Sequence, residues 1–539
     1  MLPPPPIRGI FRTDQRARAA YAEGAGIFRI LPSAVCVPQD REDVASLAHW
    51  ASAHRVALVP RGAGSAMGGG NVGDGVVIDL TDLPARVEVD AGARRARAAA
   101  SVTLADLNRA ADPAGLRLPP DPSSGRWATL GGMLSTNAAG ARTVRYGSVR
   151  RWIESAELVT ADGEVTELRR GQPPAGRTLA VDRFEAEAAP AIRAGAELVR
   201  ARFPRTRKNA SGYALDAWLE TGDLLDLVIG AEGTLGIVTS AVWRLDPVPT
   251  ARAGLRVRLR TLDALADAVE SLLVHQPSAV ELLDRTFLEL VGEPGPEAVL
   301  LVEIERDDAA SAREAVERAA AAVAPWASGV DPGFTAAAAE RLWALRHAAS
   351  PILAGLPESR RSLQVIEDGC VPLERMGDYV RAVRDAAAER GLAVVIFGHA
   401  GDGHIHVNLL PEIGRAGWEE SVASLLEAVT DALVRLGGTP SGEHGDGRLR
   451  AGLLARVYGD EVVALFARAK RAFDPLGILN PGVILPGADT AGRPIRRLKV
   501  GEHAVALPDD IARGLRRIEQ SGGYAQHRLE LADGPTSHP

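Results

Sequence analysis

An α+β protein of several units is what the sequence predicts, and three observations lead there. Between residues 30 and 249, short apolar runs alternate with turns dense in glycine, among them Gly62, Gly64, Gly68, Gly69, Gly70, Gly73 and Gly75. The segment Asp246-Pro247-Val248-Pro249 then breaks the chain, because proline removes backbone donors and fixes φ. Beyond it, the order strand, helix, strand, then strand, helix is what a split βαβ, ferredoxin-like antiparallel sheet requires. The 539 residues allow roughly three to four domain-sized units, with a core large enough to enclose a deep cleft. The expected division is an N-terminal arm over 1–29, a first unit over 30–249, a second over 250–486 and a C-terminal extension over 487–539.

The arm is rich in Pro and Arg and predicts an extended segment or a short helix. Apolar runs follow at 57–60, 76–80, 97–102, 156–160, 228–229 and 237–245, each bounded by turn residues. After the break, 255–259 alternates as a strand, 262–274 reads as a helix and 279–283 as a strand. Residues 299–304 then read as a strand and 310–323 as an Ala-rich helix. Helices are expected at 336–354, 375–390, 419–436 and 461–473, with strands at 393–397 and 405–410 between them. From Gly487 onward the periodicity is lost and a surface extension is expected.

Composition excludes several classes. A net charge of −7 with no dense Lys/Arg patch argues against a nucleic-acid coat or an anionic-membrane binder. The two cysteines, Cys36 and Cys370, exclude a disulfide scaffold and a thiolate zinc finger. They also exclude an iron–sulfur cluster, which needs about four thiolates. The N-terminus carries charges where a signal peptide would be apolar. No segment approaches about 18 uninterrupted apolar residues, so no spanning helix is expected. The expectation is a cytoplasmic enzyme, able to dock peripherally at the inner membrane through an electron acceptor.

Four glycine- and hydroxyl-rich stretches can line a ligand. The first runs Pro60, Arg61, Gly62, Ala63, Gly64, Ser65, Ala66, Met67, Gly68; its bare backbone N–H groups can close on a pyrophosphate. It is neither a dinucleotide fingerprint nor a P-loop, since the required glycine and Gly-Lys-Ser/Thr are missing. The others are Pro120, Asp121 and Ser124; Gly131, Gly132, Ser135, Asn137, Ala138 and Gly140; and Glu232, Gly236, Ile237 and Val238. Together they resemble the FAD-binding domain of the vanillyl-alcohol-oxidase-type flavoenzymes, the PCMH-type fold. The resemblance implies two α+β subdomains clasping an FAD. Residues 61–70 would hold the pyrophosphate, 121–124 and 131–137 the isoalloxazine and ribityl chain, and 232–238 the adenine side. No His lies between His54 and His275, so attachment through the loop is excluded and the FAD is expected to be noncovalent.

The second half carries Gly398-His399-Ala400-Gly401-Asp402-Gly403-His404-Ile405-His406-Val407-Asn408, then Ser441-Gly442-Glu443-His444-Gly445-Asp446-Gly447. On a strand over 405–410, His404, His406 and Asn408 share one face. Imidazoles converging with a carboxylate are a ligand set for Zn²⁺ or another borderline first-row cation such as Mn or Fe. A structural alternative is hydrogen-bonded histidines and turn-forming aspartates. These motifs, with Phe473-Asp474-Pro475-Leu476-Gly477-Ile478-Leu479-Asn480-Pro481-Gly482, resemble the C-terminal domain of FAD-linked oxidases, found in D-lactate, glycolate and D-2-hydroxyglutarate dehydrogenases. That resemblance implies a cap domain whose helical C-terminal segment returns to the flavin. It also implies His399, His406 and Glu443 as metal ligands, His444 as catalytic base and Asn408 as a substrate contact. Arg346 would pair the substrate carboxylate with Ser350 one turn on, and Asn480 would touch the flavin. Two residues depart from the family: His404 stands where Asn is usual, opening a fourth ligand or altered surroundings for the ion. Val365-Ile366-Glu367-Asp368 stands where 2-hydroxyglutarate enzymes carry a Lys.

The implied reaction oxidises a small D-2-hydroxy acid to a 2-oxo acid, with His444 taking the hydroxyl proton and hydride passing to FAD N5. Electrons would leave to a separate quinone, cytochrome, electron-transfer flavoprotein or iron–sulfur protein, and a homodimer is compatible with the sequence. Two rivals are a non-catalytic flavoprotein subunit of a larger oxidase and a His/His/Glu metal hydrolase without flavin. The first has no reason to keep the histidine cluster; for the second, which no G-x-S-x-G elbow supports, a flavin absorption spectrum decides.

Overall fold

The computed structural model describes residues 3–487, 495–524 and 526–534, and three main sheets organise them. In the first, Ala34–Val37, Val76–Asp79 and Leu58–Arg61 lie parallel, with Ile10–Arg12 antiparallel at one edge. The strand Leu58–Arg61 runs into the glycine loop before the chain returns as its parallel neighbour. The loop therefore lies outside the carboxyl end of a strand, where open parallel sheets hold ligands. Gly69 shows why glycine is needed there: its φ is +81°, and a Cβ would sit 2.4 Å from the Phe28 ring.

The second sheet is antiparallel, in the order Val87–Asp90, Arg95–Ala99, Ile237–Arg244, Ile153–Val159, Val165–Arg169. The apolar run at 228–229 is no strand but the end of helix Leu224–Val228; so short a run carries no period by which to tell the two apart.

The third sheet has seven antiparallel strands. Ala327–Gly333, Ala251–Leu259, Ala298–Arg306 and Ala279–Asp284 lie side by side in that order, which is the ferredoxin-like arrangement. Its last strand, Ala327–Gly333, escapes the sequence pattern because it is a half-exposed edge carrying Pro332, and proline is confined to sheet edges. Helices Leu265–Leu273 and Ala309–Val323 cover one face. They bury Leu265, Ala268, Val269 and Leu272, and Ala312, Ala315, Val316, Ala319 and Val323, at helical spacing.

Beyond Ala279–Asp284 the sheet continues through Ala393–His399, His404–Leu410 and Gly369–Cys370. The register sets Val395 opposite Asn408, Phe397 opposite His406 and His399 opposite His404. The single helix expected over 336–354 is two, Ala336–His347 and Ala349–Ala354. Pro351 cannot donate to the His347 carbonyl. The side chain of Ser350, expected beside Arg346, lies outside the described residues.

The C-terminal extension contains helices Asp509–Ser521 and Arg528–Asp533, where no periodic element was expected. Its apolar stripe is narrow. Ile511, Leu515 and Ala532 pack on Ala17, Ala20 and Tyr21 at the N-terminal helix Gln15–Ala20. Ion pairs Arg16–Asp510 (2.5 Å) and Arg12–Asp533 (2.9 Å) flank the contact. No helix among the described residues is long and apolar enough to cross a membrane. Because Ile511 is fully buried, Ile511→Ala should cost about 2–5 kcal/mol. Thermal unfolding should register it as a lower Tm, and an unchanged Tm would mean the two termini do not hold each other.

Candidate active site

One cleft joins the glycine-rich stretches to the loop carrying His444. Its lining contains Pro60 to Met67, Ser124, Gly131, Gly132, Ser135, Ala138, Gly236, Ile237 and Val238, as expected, together with Glu443 and His444. Six residues assigned to the cofactor do not line it: Gly68, Pro120, Asp121, Asn137, Gly140 and Asn480. Most of these hold backbone instead. The Gly68 carbonyl accepts from Arg448 and Leu449 N–H, and the Asn480 amide donates to the Gly70 and Glu232 carbonyls at 2.8 Å each. Asn137 ends helix Leu130–Thr136 in the left-handed region, at φ 50°, and accepts from Arg150 N–H. Asp121 binds Arg142, whose other nitrogens reach Glu303 on the third sheet, and Pro120 simply precedes it. Arg61 borders the cleft, but its guanidinium is buried beneath the loop, donating to the carbonyls of Tyr21, Glu23 and Asn71. These bonds hold the loop. Glu232, assigned to the adenine side, accepts from Gly447 N–H on the His444 loop. Burial beside Asp446 raises its pKa to about 8, so it is neutral at pH 7.

The histidine motifs converge. His399 ends one strand, His404 and His406 stand on its neighbour, and Glu443 arrives from the loop after helix Trp418–Arg435. His399 Nε2 lies 3.2 Å from His406 Nε2 and 3.3 Å from Glu443 Oε1, and His406 Nε2 lies 3.5 Å from the same oxygen. Those separations are the edges of a tetrahedron about an ion with bonds of about 2.0–2.1 Å, whose ligands stand about 3.3 Å apart. All three residues are buried. Gly442 packs flat on the His404 ring, where a Cβ would lie 2.8 Å from Nε2.

Around this triangle stand groups no motif announced. Glu281 Oε1 meets His399 Nδ1 at 2.5 Å, and the Glu367 carbonyl meets His406 Nδ1 at 2.8 Å; such partners orient metal-binding imidazoles. Asp368 accepts from His404 Nε2 at 2.8 Å and from the N–H of His444 at 2.9 Å. Glu367 Oε1 lies 3.2 Å from His444 Nδ1, and its other oxygen pairs with the buried Arg450. Lys208, also buried, donates to Glu443 Oε2 at 2.8 Å and to the Gly140 carbonyl at 2.9 Å. Apart from the adjacent Glu367 and Asp368, these partners are scattered along the chain. The one hint in sequence is a carboxylate, Glu281, inside the otherwise apolar strand Ala279–Asp284.

Arg346 donates through Nε to Glu281 Oε2 at 2.9 Å and lies over the Phe397 ring at 4.3 Å. Among the described residues this is its one hydrogen bond, so both terminal amino groups remain for a ligand carboxylate. Asn408 Oδ1 accepts from Ser362 and Gln364, which aims its NH₂ away from them.

The charges order the imidazoles. Burial alone would lower each pKa, and it does so for His406 and for His404, which falls to about 3. At His399 the Glu281 carboxylate outweighs burial and raises the pKa to about 9. At His444, Asp368 and Glu367 do the same, again to about 9. Both values lie above the unfolded value of about 6.5. Their contribution to stability is therefore fully present below that pH and lost as pH rises through about 9. Chelator-treated protein should show a Tm that falls between pH 6.5 and 9, less steeply in Glu281→Gln. A flat profile in the parent would contradict the charge arrangement.

Comparison with known proteins agrees with this geometry. Residues 32–169 match the family described as FAD binding domain, and 248–484 that of FAD linked oxidases, C-terminal domain. Glycolate oxidase subunit GlcD of Bacillus subtilis is 30% identical over 88% of this chain and 93% of its own. A D-lactate dehydrogenase of Archaeoglobus fulgidus is 32% identical over 84% and 91%. A D-2-hydroxyglutarate dehydrogenase of Pseudomonas putida is 31% identical over 89% of this chain but 50% of its own length. Among solved structures, 4-ethylphenol oxidase from Gulosibacter chungangensis shares the fold at a TM-score of 0.64 with 15% identity, covering 88% and 94%. Identity at this level, spread over nearly the whole of two relatives, places the protein in the FAD-linked oxidase family as an FAD-dependent oxidoreductase.

Proposed function

We propose that this enzyme oxidises a small D-2-hydroxy acid to the 2-oxo acid and passes the electrons to a separate acceptor. The carrying observation is that one cleft is lined by both the glycine loop and His444, with Glu443 shared between that cleft and the histidine triangle. The names of the relatives, glycolate oxidase and D-lactate and D-2-hydroxyglutarate dehydrogenases, point to the same substrate class. A flavin-free hydrolase has no use for such a cleft.

When bound, FAD supplies the acceptor for the hydride leaving the substrate Cα. His399, His406 and Glu443 would hold a divalent cation, Zn or else Mn or Fe, which lowers the pKa of a substrate hydroxyl. His444 would take that proton through Nε2, a reading supported by its Nδ1 facing Glu367 and Asp368. Asp368 and Glu367, which raise its pKa to about 9, would stabilise the imidazolium that proton transfer creates, and the base form they leave scarce at pH 7 becomes available as pH rises toward that value. The free amino groups of Arg346 pair the substrate carboxylate, and Glu281 fixes the guanidinium from behind. Asn408 offers its NH₂ to the same substrate.

Anaerobic bleaching of the flavin by D- but not L-2-hydroxy acids tests the reading, and no bleaching by any member of the series would refute it. His444→Ala should lower kcat by about 10²–10⁴ while FAD stays bound; turnover at the parent rate would remove His444 as the base. Arg346→Met loses a charge-assisted pair worth about 1.5–3 kcal/mol, so kcat/KM should fall by roughly 10- to 100-fold with the flavin spectrum unchanged.

A further inference from the structure

Four candidate donors crowd the histidine cluster: His399, His404, His406 and Glu443 offer atoms all within 4.8 Å of one another. They are not equivalent. The triangle of 3.2, 3.3 and 3.5 Å involves Glu443 Oε1 alone. His404 faces the other oxygen, with Nδ1 3.8 Å from Glu443 Oε2. Between them stands the Lys208 ammonium, 2.8 Å from Oε2 and 3.5 Å from His404 Nδ1.

The hydrogen-bond polarity then decides the tautomer. Asp368 is an ionised carboxylate and can only accept, so His404 Nε2, at 2.8 Å, carries the hydrogen. The lone pair of a neutral His404 is therefore on Nδ1. An ammonium has three donors and no acceptor, so Lys208 points N–H at that lone pair and at Glu443 Oε2. Both atoms that would enlarge the coordination set are turned toward a fixed positive charge. Lys208 is itself held by the Gly140 carbonyl and buried with a side-chain exposure of 1%, so it cannot swing out to water.

We propose that Lys208 is a positioning residue: it keeps Glu443 a one-oxygen ligand and keeps His404 out of the coordination set. The cation then has three protein ligands and an open side for the substrate hydroxyl. This rests on the cation reading above and goes beyond it by assigning which of the four donors bind. An open coordination position is what distinguishes catalytic from structural zinc sites.

The test loads the chelator-treated, flavin-containing enzyme with Co²⁺ and reads metal content and the cobalt d–d absorption at wavelengths beyond the flavin band. His404→Asn should keep one Co²⁺ per chain and the parent band shape, since it removes no ligand. Lys208→Met should weaken the band, as Oε2 or Nδ1 joins the ion and coordination number rises. Its kcat should fall by roughly 10- to 100-fold, the usual cost of losing a group that orients a ligand, with FAD retention reporting an intact fold. A shifted band or lost cobalt in His404→Asn would make His404 a ligand and overturn the proposal, as would an unaltered band in Lys208→Met. Failure of the parent enzyme to take up Co²⁺ would instead refute the cation reading itself.

Discussion

A carboxylate buried as deeply as that of Glu443 costs several kcal/mol unless both oxygens meet charge or hydrogen bonds. Here one oxygen faces two imidazoles and the other faces Lys208, so its pKa falls well below the ordinary carboxylate range despite burial. Each of those partners is buried too and needs compensation of its own. Glu281 answers His399, Asp368 answers His404, and Arg450 answers the Glu367 that faces His444. The centre is a closed network of charges and neutral imidazoles joined by hydrogen bonds, in which removing one member leaves a neighbour exposed to the full cost of burial. It can also be retained for specificity of position rather than for stability, because apolar replacements for such networks are often as stable.

That set is drawn from both halves of the chain, which makes it sensitive to how they meet. Lys208 comes from the flavin-binding half, Glu281 and the histidines from the third sheet, and Glu443 from a loop that returns to the cleft. Two further bridges hold the halves in register: Arg142 joins Asp121 to Glu303, and Arg117 with Tyr146 joins Glu305. Asp121 does not line the cleft; its carboxylate belongs to this bridge. The N-terminal helix and the C-terminal extension close on each other behind the glycine loop, where Tyr21 and Arg61 support the turn from below.

Much of the candidate site was legible because its histidines and carboxylate sit in compact motifs. His399, His406, Glu443 and His444 fall in two short glycine-flanked segments, and a period of two places His404, His406 and Asn408 on one strand face. The glycine loop announced itself by density. Harder to read were residue types that serve two purposes. Asn137, Gly140 and Asn480 shape turns and carry backbone hydrogen bonds, and Arg61 at the cleft's border binds the carbonyls of Tyr21, Glu23 and Asn71. The C-terminal helix Asp509–Ser521 was missed because its buried stripe is a few apolar residues in a charged segment.

By itself the sequence determined the kind of protein: periodicity and turn chemistry are local, so the α+β class, the ferredoxin-like order and the histidine motifs can be read along the chain. Tertiary structure alone decided which charge faces which. Lys208 and Glu443 are far apart in sequence yet 2.8 Å apart in space, as are Glu281 and His399 at 2.5 Å. Coulomb and desolvation energies depend on distance and burial rather than on order along the chain. The protonation of each imidazole, and the oxygen that Glu443 turns toward them, therefore exist only once the sheets have packed.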